Sequence, residues 1–369
     1  MARGKERIAV AMSGGVDSSM AASILKDQGY EVIGFTMHLW DDSPDNKGAA
    51  GRCCSPEDLR DARRVADEIG IPHYVINLKA AFEKEVIRYF VGEYANGRTP
   101  NPCVVCNDRL KFTFLLQKAE EIGARALATG HYARIGRDPD HPERAVLLRG
   151  TDPSKDQSYF LFTMTQAQMG KVLFPLGDKS KSEVRRLASS MRLRVAHKKE
   201  SQEICFIPDN DYRKFLESRK GKEAFKPGEI VDRKGKVLGC HQGILNYTVG
   251  QRRGLRIGGE NPLYVLQLDR ERNRVVVGRR EELLAHGLVA SKLNWMAFSQ
   301  LKGEVKALAQ IRHRHPGVPA ILFPLEEGKV RVHFQTPQES VTPGQAVVFF
   351  RGDEILGGGW IEKSLRHEP

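Results

Sequence analysis

A glycine- and serine-rich stretch near the N-terminus carries the clearest chemical signal in this sequence. The apolar run 8–12 is followed by Ser-Gly-Gly-Val-Asp-Ser over residues 13–18. Two glycines permit a tight turn with close backbone approach, and Ser18 is predicted to open a helix behind them. Backbone N–H groups and the positive end of the helix dipole would converge on this turn, beside hydroxyl donors from Ser13, Ser18 and Ser19. The pattern predicts a binding site for a polyanion.

Three cysteines form a second candidate centre. Cys103 and Cys106 make a CxxC beside Pro102, predicted to lie in a loop before a helix over 112–122, and Cys205 follows much later in the chain. A thiolate can be a nucleophile, a sulfur carrier or a metal ligand. A persulfide relay, a three-cysteine iron–sulfur site and plain buried thiols therefore all remain open. Structural zinc is less favoured, because a closed site takes four ligands and no second CxxC occurs.

The other cysteines carry weaker signals. Cys53 and Cys54 are adjacent, which is a poor geometry for two ligands of one metal, and Cys240 lies between Gly239 and His241. We expect all three to be non-catalytic.

Strand and helix signals alternate through the first two hundred residues and would position these groups. Strands are predicted over 8–12, 31–37, 73–78 and 126–130, with helices over 55–70, over 112–122 and from Ser180, where Glu183 completes a capping box. Such alternation is typical of a doubly wound parallel sheet, whose ligand crevice lies at the carboxyl ends of the strands. The glycine-rich turn and Gly130 are expected to open there together.

The pattern changes beyond about residue 208. Short strands separated by Gly and Pro turns replace the helices, and alternation of apolar and polar residues dominates from about Leu288, as in 330–334. This favours a small β-barrel or sandwich. A basic stretch precedes it, containing Arg252, Arg253, Arg256, Arg270, Arg272 and Arg274.

Composition bounds the setting. A chain of 369 residues implies two or three domains. Lys and Arg number 58 against 46 Asp and Glu, and the resulting charge of +12 favours a polyanionic partner. The sequence contains no run of about 18 apolar residues, the length needed to span a membrane. The N-terminal residues lack the apolar core of a signal peptide. We expect a cytoplasmic protein whose cysteines stay reduced.

Six motifs in order give the sequence a family resemblance. The turn at 13–18 is similar to that of pyrophosphate-loop ATP hydrolases, which split ATP into AMP and pyrophosphate while adenylating a substrate. Together with the five further motifs, over 98–107, 129–133, 155–161, 204–207 and 250–254, it resembles the tRNA-specific 2-thiouridylase family from about residue 6 to 363. The resemblance implies an α/β fold: a pyrophosphate-loop catalytic domain over 1–207, a small central tRNA-binding domain over 208–284 and a C-terminal β-barrel over 285–369.

The resemblance also implies an activity and its residues. ATP would adenylate the C2 oxygen of the wobble uridine in tRNAs for Lys, Glu and Gln, and sulfur from a cysteine desulfurase or a sulfur-relay protein would replace that oxygen. The catalytic residues would be Asp17, Cys106 and Cys205, with Cys205 carrying the sulfur, Cys106 forming a disulfide with it and Mg²⁺ beside Asp17. ATP would contact Ala11, Met12, Ser13, Gly14, Gly15, Val16, Asp17, Ser18, Met37 and Gly130. The tRNA would contact Asn101, Pro102, Cys103, Lys155, Asp156, Gln157, Arg312 and His313.

One position departs from the family pattern. Many relatives carry Asp where this chain has Cys103, so a [4Fe-4S] cluster on Cys103, Cys106 and Cys205 is an alternative to the persulfide relay. Two other functions are less favoured by the sequence. A pyrophosphate-loop amide synthetase or amidotransferase would leave the cysteines without a role, and a non-enzymatic RNA-binding protein would leave the glycine-rich turn idle.

Overall fold

The computed structural model describes residues 5–40, 56–199, 204–207, 210–221, 224–258 and 261–366. Cys53, Cys54 and Ser55, which opens the predicted helix over 55–70, lie outside these residues. The chain divides into two units: unit 1 comprises 1–86, 102–210 and 353–355, and unit 2 comprises 87–101, 211–352 and 356–369. Within the described residues, no helix combines the length and the hydropathy needed to cross a membrane.

Unit 1 is built on a parallel five-stranded sheet. Its strands and those of a following hairpin are β1 (Arg7–Ala11), β2 (Glu31–His38), β3 (His73–Asn77), β4 (Ala126–Thr129), β5 (Ala133–Arg137), β6 (Ala145–Arg149) and β7 (Val172–Leu173). The sheet order is β3-β2-β1-β4-β7, and every pair is parallel. Strand order therefore reverses between β1 and β4, which confirms the predicted doubly wound fold. The short hairpin β5–β6 is antiparallel.

Helices occupy the connections between these strands. They are α1 (Val16–Asp27), α2 (Pro56–Ile69), α3 (Lys79–Phe82), α4 (Arg88–Ala95), α5 (Pro102–Val105), α6 (Leu116–Glu121), α7 (Gln166–Met169) and α8 (Lys181–Ser190). Of these helices, α4 belongs to unit 2. π-Helical segments Glu83–Ile87 and Cys106–Leu115 join α3 to α4 and α5 to α6, and 3₁₀ turns cover Ser158–Leu161 and Arg194–His197. Apolar side chains from α1, α2, α8 and the central strands form one core, which fixes the helices on the sheet.

Two predicted helix starts are wrong. Helix α1 begins at Val16 rather than Ser18, with Gly15 as the N-cap residue and no side-chain cap. The CxxC lies within a helix rather than a loop, because helical structure begins at Pro102. Proline is well suited to the first helical position, where its missing N–H is not needed. The predicted capping box of α8 is confirmed, since Ser180 and Glu183 bond reciprocally.

Unit 2 contains a small sheet and a closed barrel. Helix α9 (Tyr212–Lys220) precedes β8 (Gly228–Val231), β9 (Val237–His241), β10 (Tyr264–Asp269) and β11 (Arg274–Gly278), in the order β10-β11-β8-β9. 3₁₀ turns cover Ile244–Asn246, Arg280–Leu283 and Glu326–Gly328. The barrel strands are β12 (Leu284–Trp295), β13 (Val305–Gln310), β14 (Val318–Pro324), β15 (Val330–Glu339), β16 (Ala346–Arg351) and β17 (Glu354–Leu365).

Pairing of β12 with both β15 and β17 closes these six strands into a barrel. The predicted alternation is confirmed in β15, where Val330, Val332 and Phe334 are buried in the barrel core while Arg331 and His333 are only partly buried. The barrel, rather than the sandwich, is therefore the C-terminal fold.

Candidate active site

The glycine-rich turn and Gly130 meet at the point where strand order reverses. Ala11 at the end of β1 is paired with Thr129 at the end of β4, so the two following loops leave the same edge of the sheet. A Cβ on Gly130 would lie 2.7 Å from the Ser18 nitrogen, which only glycine avoids. Met37 lies at the same edge, next to the last residue of β2. This crevice is where open α/β sheets bind ligands.

The turn itself is held tightly against α2. Gly14 has a φ of +71°, and a Cβ there would lie 2.2 Å from the Asp58 carbonyl oxygen. The Ser13 N–H donates to Ser18 Oγ at 3.0 Å, and Ser18 Oγ donates to the Gly15 carbonyl at 3.1 Å. The Ser19 hydroxyl donates to the same carbonyl at 2.9 Å. Ser13 Oγ lies 3.3 Å from Ser18 Oγ, so all three hydroxyls expected to face an anion are hydrogen-bonded within the turn.

Asp17 is held by two residues from elsewhere in unit 1. Tyr132 Oη donates to Asp17 Oδ1 at 2.8 Å, and Lys181 Nζ lies 2.7 Å from both carboxylate oxygens. The Lys181 side chain is only 10% exposed. A buried ammonium beside a glycine-rich turn is a strong ligand for phosphate oxygens.

Sequence reasoning missed Lys181, although one signal was available. Lys181 is the first residue of α8, directly after its cap Ser180. A cation is unfavourable at a helix N-terminus because of the helix dipole, so lysine at this position breaks a local rule. Such conflicts are expected at functional sites.

A second lysine links the turn to α2. Lys198 Nζ donates to Asp58 Oδ1 at 2.7 Å, to Asp61 and to the Gly14 carbonyl at 3.1 Å. Burial lowers the pKa of Lys198, but the hydrogen bonds to the two carboxylates outweigh it and leave the pKa above its ordinary value. The charged lysine therefore fixes the Gly14 backbone against α2.

His131 follows Gly130 and is buried. Its Nδ1 lies 2.7 Å from Thr129 Oγ1, and its ring packs between Phe112 and Phe174. Burial, with the Lys111 charge as a smaller cause, holds the pKa of His131 well below its ordinary value. The ring is neutral at pH 7.

The segments that contain Cys106 and Cys205 both contact helix α3. Cys106 begins the π-helical segment after α5, and α3 packs against this segment. Phe206, next to Cys205, packs on Phe82 of α3 with ring centres 5.6 Å apart. Cys106 and Cys205 are partly buried, whereas Cys103 is exposed, and all three are thiols rather than disulfides.

These thiols do not form a metal site as they stand. Among the described residues, no group of three or more His, Cys, Asp or Glu side chains is arranged to hold a metal ion. The arrangement in hand therefore does not fit the three-cysteine cluster.

The 155–157 segment is rigidly built. Asp156 accepts hydrogen bonds from the Gly150 and Ser158 N–H groups at 3.0 and 3.1 Å and from Arg149 at 2.8 Å, and its side chain is 8% exposed. Gln157 Oε1 accepts from the Tyr132 N–H at 3.2 Å. The Asp156 carboxylate thus shapes the loop, and its neighbour Lys155 is only partly buried.

The candidate RNA contacts of unit 2 lie in two loops. Asn101 is buried, and the preceding Thr99 and Pro100 carbonyls accept hydrogen bonds from Gln345 Nε2 at 3.1 and 2.9 Å. Arg312 and His313 are exposed in the turn between β13 and β14. Gln310 Nε2 donates to the backbone carbonyls of both, so the turn presents a fixed basic surface.

Comparison with known proteins agrees with this architecture. Family models match residues 6–209 as a tRNA methyl transferase HUP domain, 213–279 as a tRNA methyl transferase PRC-barrel domain and 285–361 as an aminomethyltransferase β-barrel domain. Curated relatives called tRNA-specific 2-thiouridylase MnmA include those of Geobacter metallireducens, 55% identical over 98% of each chain, and of Geotalea uraniireducens, 52% identical over 98% of this chain and 96% of the relative. A third, from Carboxydothermus hydrogenoformans, is 50% identical over 98% of this chain and 99% of its own. On this full-length similarity, the chain belongs to the tRNA-specific 2-thiouridylase family.

Proposed function

We propose that this chain is an ATP-dependent tRNA 2-thiouridylase acting on the wobble uridine of tRNAs for Lys, Glu and Gln. The proposal rests on a crevice suited to phosphate groups at the carboxyl ends of β1 and β4, where Asp17 and Lys181 lie. The same unit contains Cys106 and Cys205, whose segments both contact α3. An amide synthetase would use the crevice but not the thiols. A non-enzymatic RNA-binding protein would use neither.

The first step activates the uridine. The C2 oxygen attacks the α-phosphorus of ATP, the bond to the pyrophosphate oxygen breaks, and pyrophosphate leaves with that electron pair. Lys181 and the backbone of the glycine-rich turn hold the phosphates and offset their charge. Asp17 offers the carboxylate oxygens that Mg²⁺ prefers, and that ion would neutralise triphosphate charge. Met37 and Gly130 border the adenosine.

The second step delivers sulfur. The terminal sulfur of a Cys205 persulfide attacks C2 and AMP leaves with the C2–O electron pair. The Cys106 thiolate then attacks Cys205 Sγ, breaking the S–S bond so that its electron pair stays with the sulfur on the uridine. The products are 2-thiouridine, AMP and a Cys106–Cys205 disulfide, which an external thiol must reduce. A cysteine desulfurase or relay protein renews the persulfide. The iron–sulfur alternative remains an outcome of the cysteine experiments below.

The base must leave the anticodon stack for this chemistry. We assign Asn101, Pro102 and Cys103 to the border of the flipped base, and Lys155, Asp156, Gln157, Arg312 and His313 to the tRNA surface. The domain limits proposed are 1–207, 208–284 and 285–369. The enzyme would act in the cytoplasm.

Pyrophosphate release separates the three functions. Purified protein is incubated with ATP and Mg²⁺, with and without an unmodified tRNA-Glu transcript, and pyrophosphate is measured. The thiouridylase releases it only with tRNA. Release without tRNA would support a synthetase, and no release despite tRNA binding would support an RNA-binding protein.

A further inference from the structure

The loop from Gly150 to Ser158, called here the 150–158 loop, is tied to the rest of unit 1 near both ends. Near its end, the Gln157 N–H donates to the Tyr132 carbonyl at 2.9 Å and Gln157 Oε1 accepts from the Tyr132 N–H at 3.2 Å. Near its start, Asp152 Oδ2 accepts from the Lys181 N–H at 2.9 Å. The loop is therefore anchored on Tyr132 and Lys181, and also on Gly177, whose carbonyl accepts from the Thr151 N–H at 2.9 Å.

Tyr132 and Lys181 also hold Asp17. The Tyr132 hydroxyl donates to its carboxylate at 2.8 Å, and Lys181 Nζ lies 2.7 Å from both of its oxygens. As whole residues, Tyr132 is 2% exposed and Lys181 8% exposed, so both donors are shielded from water, whereas the Asp17 side chain that they hold is 29% exposed. Asp17, Tyr132, Gln157, Asp152 and Lys181 thus form a closed circuit of contacts, called here the Asp17 ring.

Hydrogen bonds within the loop hold its two ends together. The Asp156 carboxylate bonds to the N–H groups of Gly150 and Ser158, at the two ends of the loop. Asp152 also accepts from the Ser154 hydroxyl at 2.7 Å, and the Lys181 and Ser154 hydrogen bonds hold the pKa of Asp152 below its ordinary value. A displacement at either anchor is therefore carried through the whole loop.

A triphosphate in the crevice would compete for the contacts of the ring. Its phosphate oxygens would draw the Lys181 ammonium from the Asp17 carboxylate, which would be left to the Tyr132 hydroxyl and to the Mg²⁺ of the proposed function. Any shift of the Lys181 or Tyr132 backbone reaches Asp152 and Gln157 through direct hydrogen bonds. Such a change of partners gives two arrangements of the ring, which is the differential interaction that coupling between two sites requires.

We infer that the Asp17 ring couples the 150–158 loop to the pyrophosphate crevice, so that RNA on the loop and nucleotide in the crevice change each other's affinity. Tyr132 is the positioning residue of this link. The inference rests on the proposed function, since it takes tRNA as the ligand of the loop. It would confine adenylation to the RNA-bound enzyme.

The affinity for tRNA, measured with and without bound nucleotide, tests this coupling. The Kd for an unmodified tRNA-Glu transcript is measured with and without saturating α,β-methylene-ATP and Mg²⁺, on wild type, Tyr132→Phe and Tyr30→Phe. Tyr30 packs against the same core but follows the C-terminal end of α1, whereas Asp17 lies in the first turn of that helix, so Tyr30→Phe is the matched control. Wild type and Tyr30→Phe are expected to show a Kd ratio of about 5 or more, and Tyr132→Phe a ratio within about twofold of one. The thermal unfolding of each variant is recorded alongside.

The outcomes separate the two claims. If Tyr132→Phe keeps the wild-type ratio, or if the wild-type ratio is one while tRNA binds, the coupling is wrong and the proposed function stands. If wild type binds the nucleotide analogue but no tRNA, the proposed function fails with it. A Tyr132→Phe variant that loses nucleotide-free tRNA affinity as well would contradict a coupling role, because it would show a general loss of loop structure.

Discussion

Asp17 is the residue on which the proposed phosphate chemistry would depend most directly. Asp17→Asn keeps the size of the side chain and one acceptor for Tyr132, but it removes the charge that faces Lys181 and that would hold the proposed Mg²⁺. We expect tRNA-dependent AMP formation to fall by about 100-fold or more with little change in thermal stability. Asp27→Asn, at the exposed end of α1, is the control. A near wild-type rate in Asp17→Asn would remove Asp17 from catalysis.

Gly14 is a poorer probe of the same site. Valine there would meet the Asp58 carbonyl and adopt a positive φ, so lost activity could not be separated from lost packing.

The thiols are predicted to contribute unequally. Cys106→Ser and Cys205→Ser should each abolish 2-thiouridine formation while sparing ATP binding, because a serine hydroxyl cannot carry or resolve a persulfide. Cys103→Ser should remain active at a reduced rate, since the exposed Cys103 has no step in the relay. The exposed Cys240, in β9, provides the control Cys240→Ser. Activity is measured by nucleoside mass spectrometry.

Bound iron distinguishes the two sulfur schemes. Enzyme prepared without oxygen is assayed for iron and sulfide in each variant. An active, iron-free Cys103→Ser supports the relay. Iron in wild type, lost together with activity in Cys103→Ser, would support the cluster, and full activity in Cys106→Ser or Cys205→Ser would exclude both schemes.

The residues that the sequence predicted and those it missed differ in one physical respect. Asp17 and Gly130 lie in short motifs directly after strands, where local pattern is enough to place them. Lys181 reaches Asp17 from 164 positions away and Lys198 reaches Gly14 from 184 positions away. Such contacts depend on tertiary packing, which strand and helix patterns do not specify.

The contact between α2 and the glycine-rich turn, called here the joint, depends largely on the single side chain of Lys198. Lys198→Met would leave the buried Asp58 and its neighbour Asp61 without their shared cation. We expect a loss of about 2 kcal/mol in stability, since removing one partner of a largely buried pair leaves an uncompensated charge. The KM for ATP should rise as well, because Gly14 loses a backbone contact.

Lys199→Met is the matched control for this joint, because Lys199 is the exposed neighbour. Chemical denaturation and ATP-dependence of AMP formation are compared for both variants. If Lys198→Met is no less stable than Lys199→Met, the joint has no structural role.

Element types were predictable where periodicity is strong, and element limits were less so. Strand–helix alternation predicted the parallel sheet and its crevice, and alternation over 330–334 predicted a β-structure for unit 2. The CxxC beside Pro102 is the clearest failure, because the predicted loop is a helix that begins at Pro102. Proline at the first position starts a helix as readily as it ends one, and only the residues that follow decide.

At the scale of the whole molecule, the charge of +12 predicts salt-dependent binding of tRNA. Each phosphate contact releases counterions, so the logarithm of the binding constant should fall linearly with the logarithm of salt concentration. Lys155→Ala should weaken binding to all cognate tRNAs and reduce the slope by about one. Lys118→Ala, whose ammonium pairs with Glu121 in α6, should leave the slope unchanged. A slope near zero in wild type would place tRNA away from the basic surface.

Formation of 2-thiouridine is the most direct measurement of the central claim. The protein is incubated with an unmodified tRNA-Glu transcript, ATP, Mg²⁺, a persulfide source and a thiol reductant, and the digested tRNA is analysed by mass spectrometry beside the AMP released. We expect one 2-thiouridine at the wobble position for each AMP, and none when ATP is omitted. Unmodified tRNA despite AMP release, or sulfur incorporation without ATP, would contradict the proposed function.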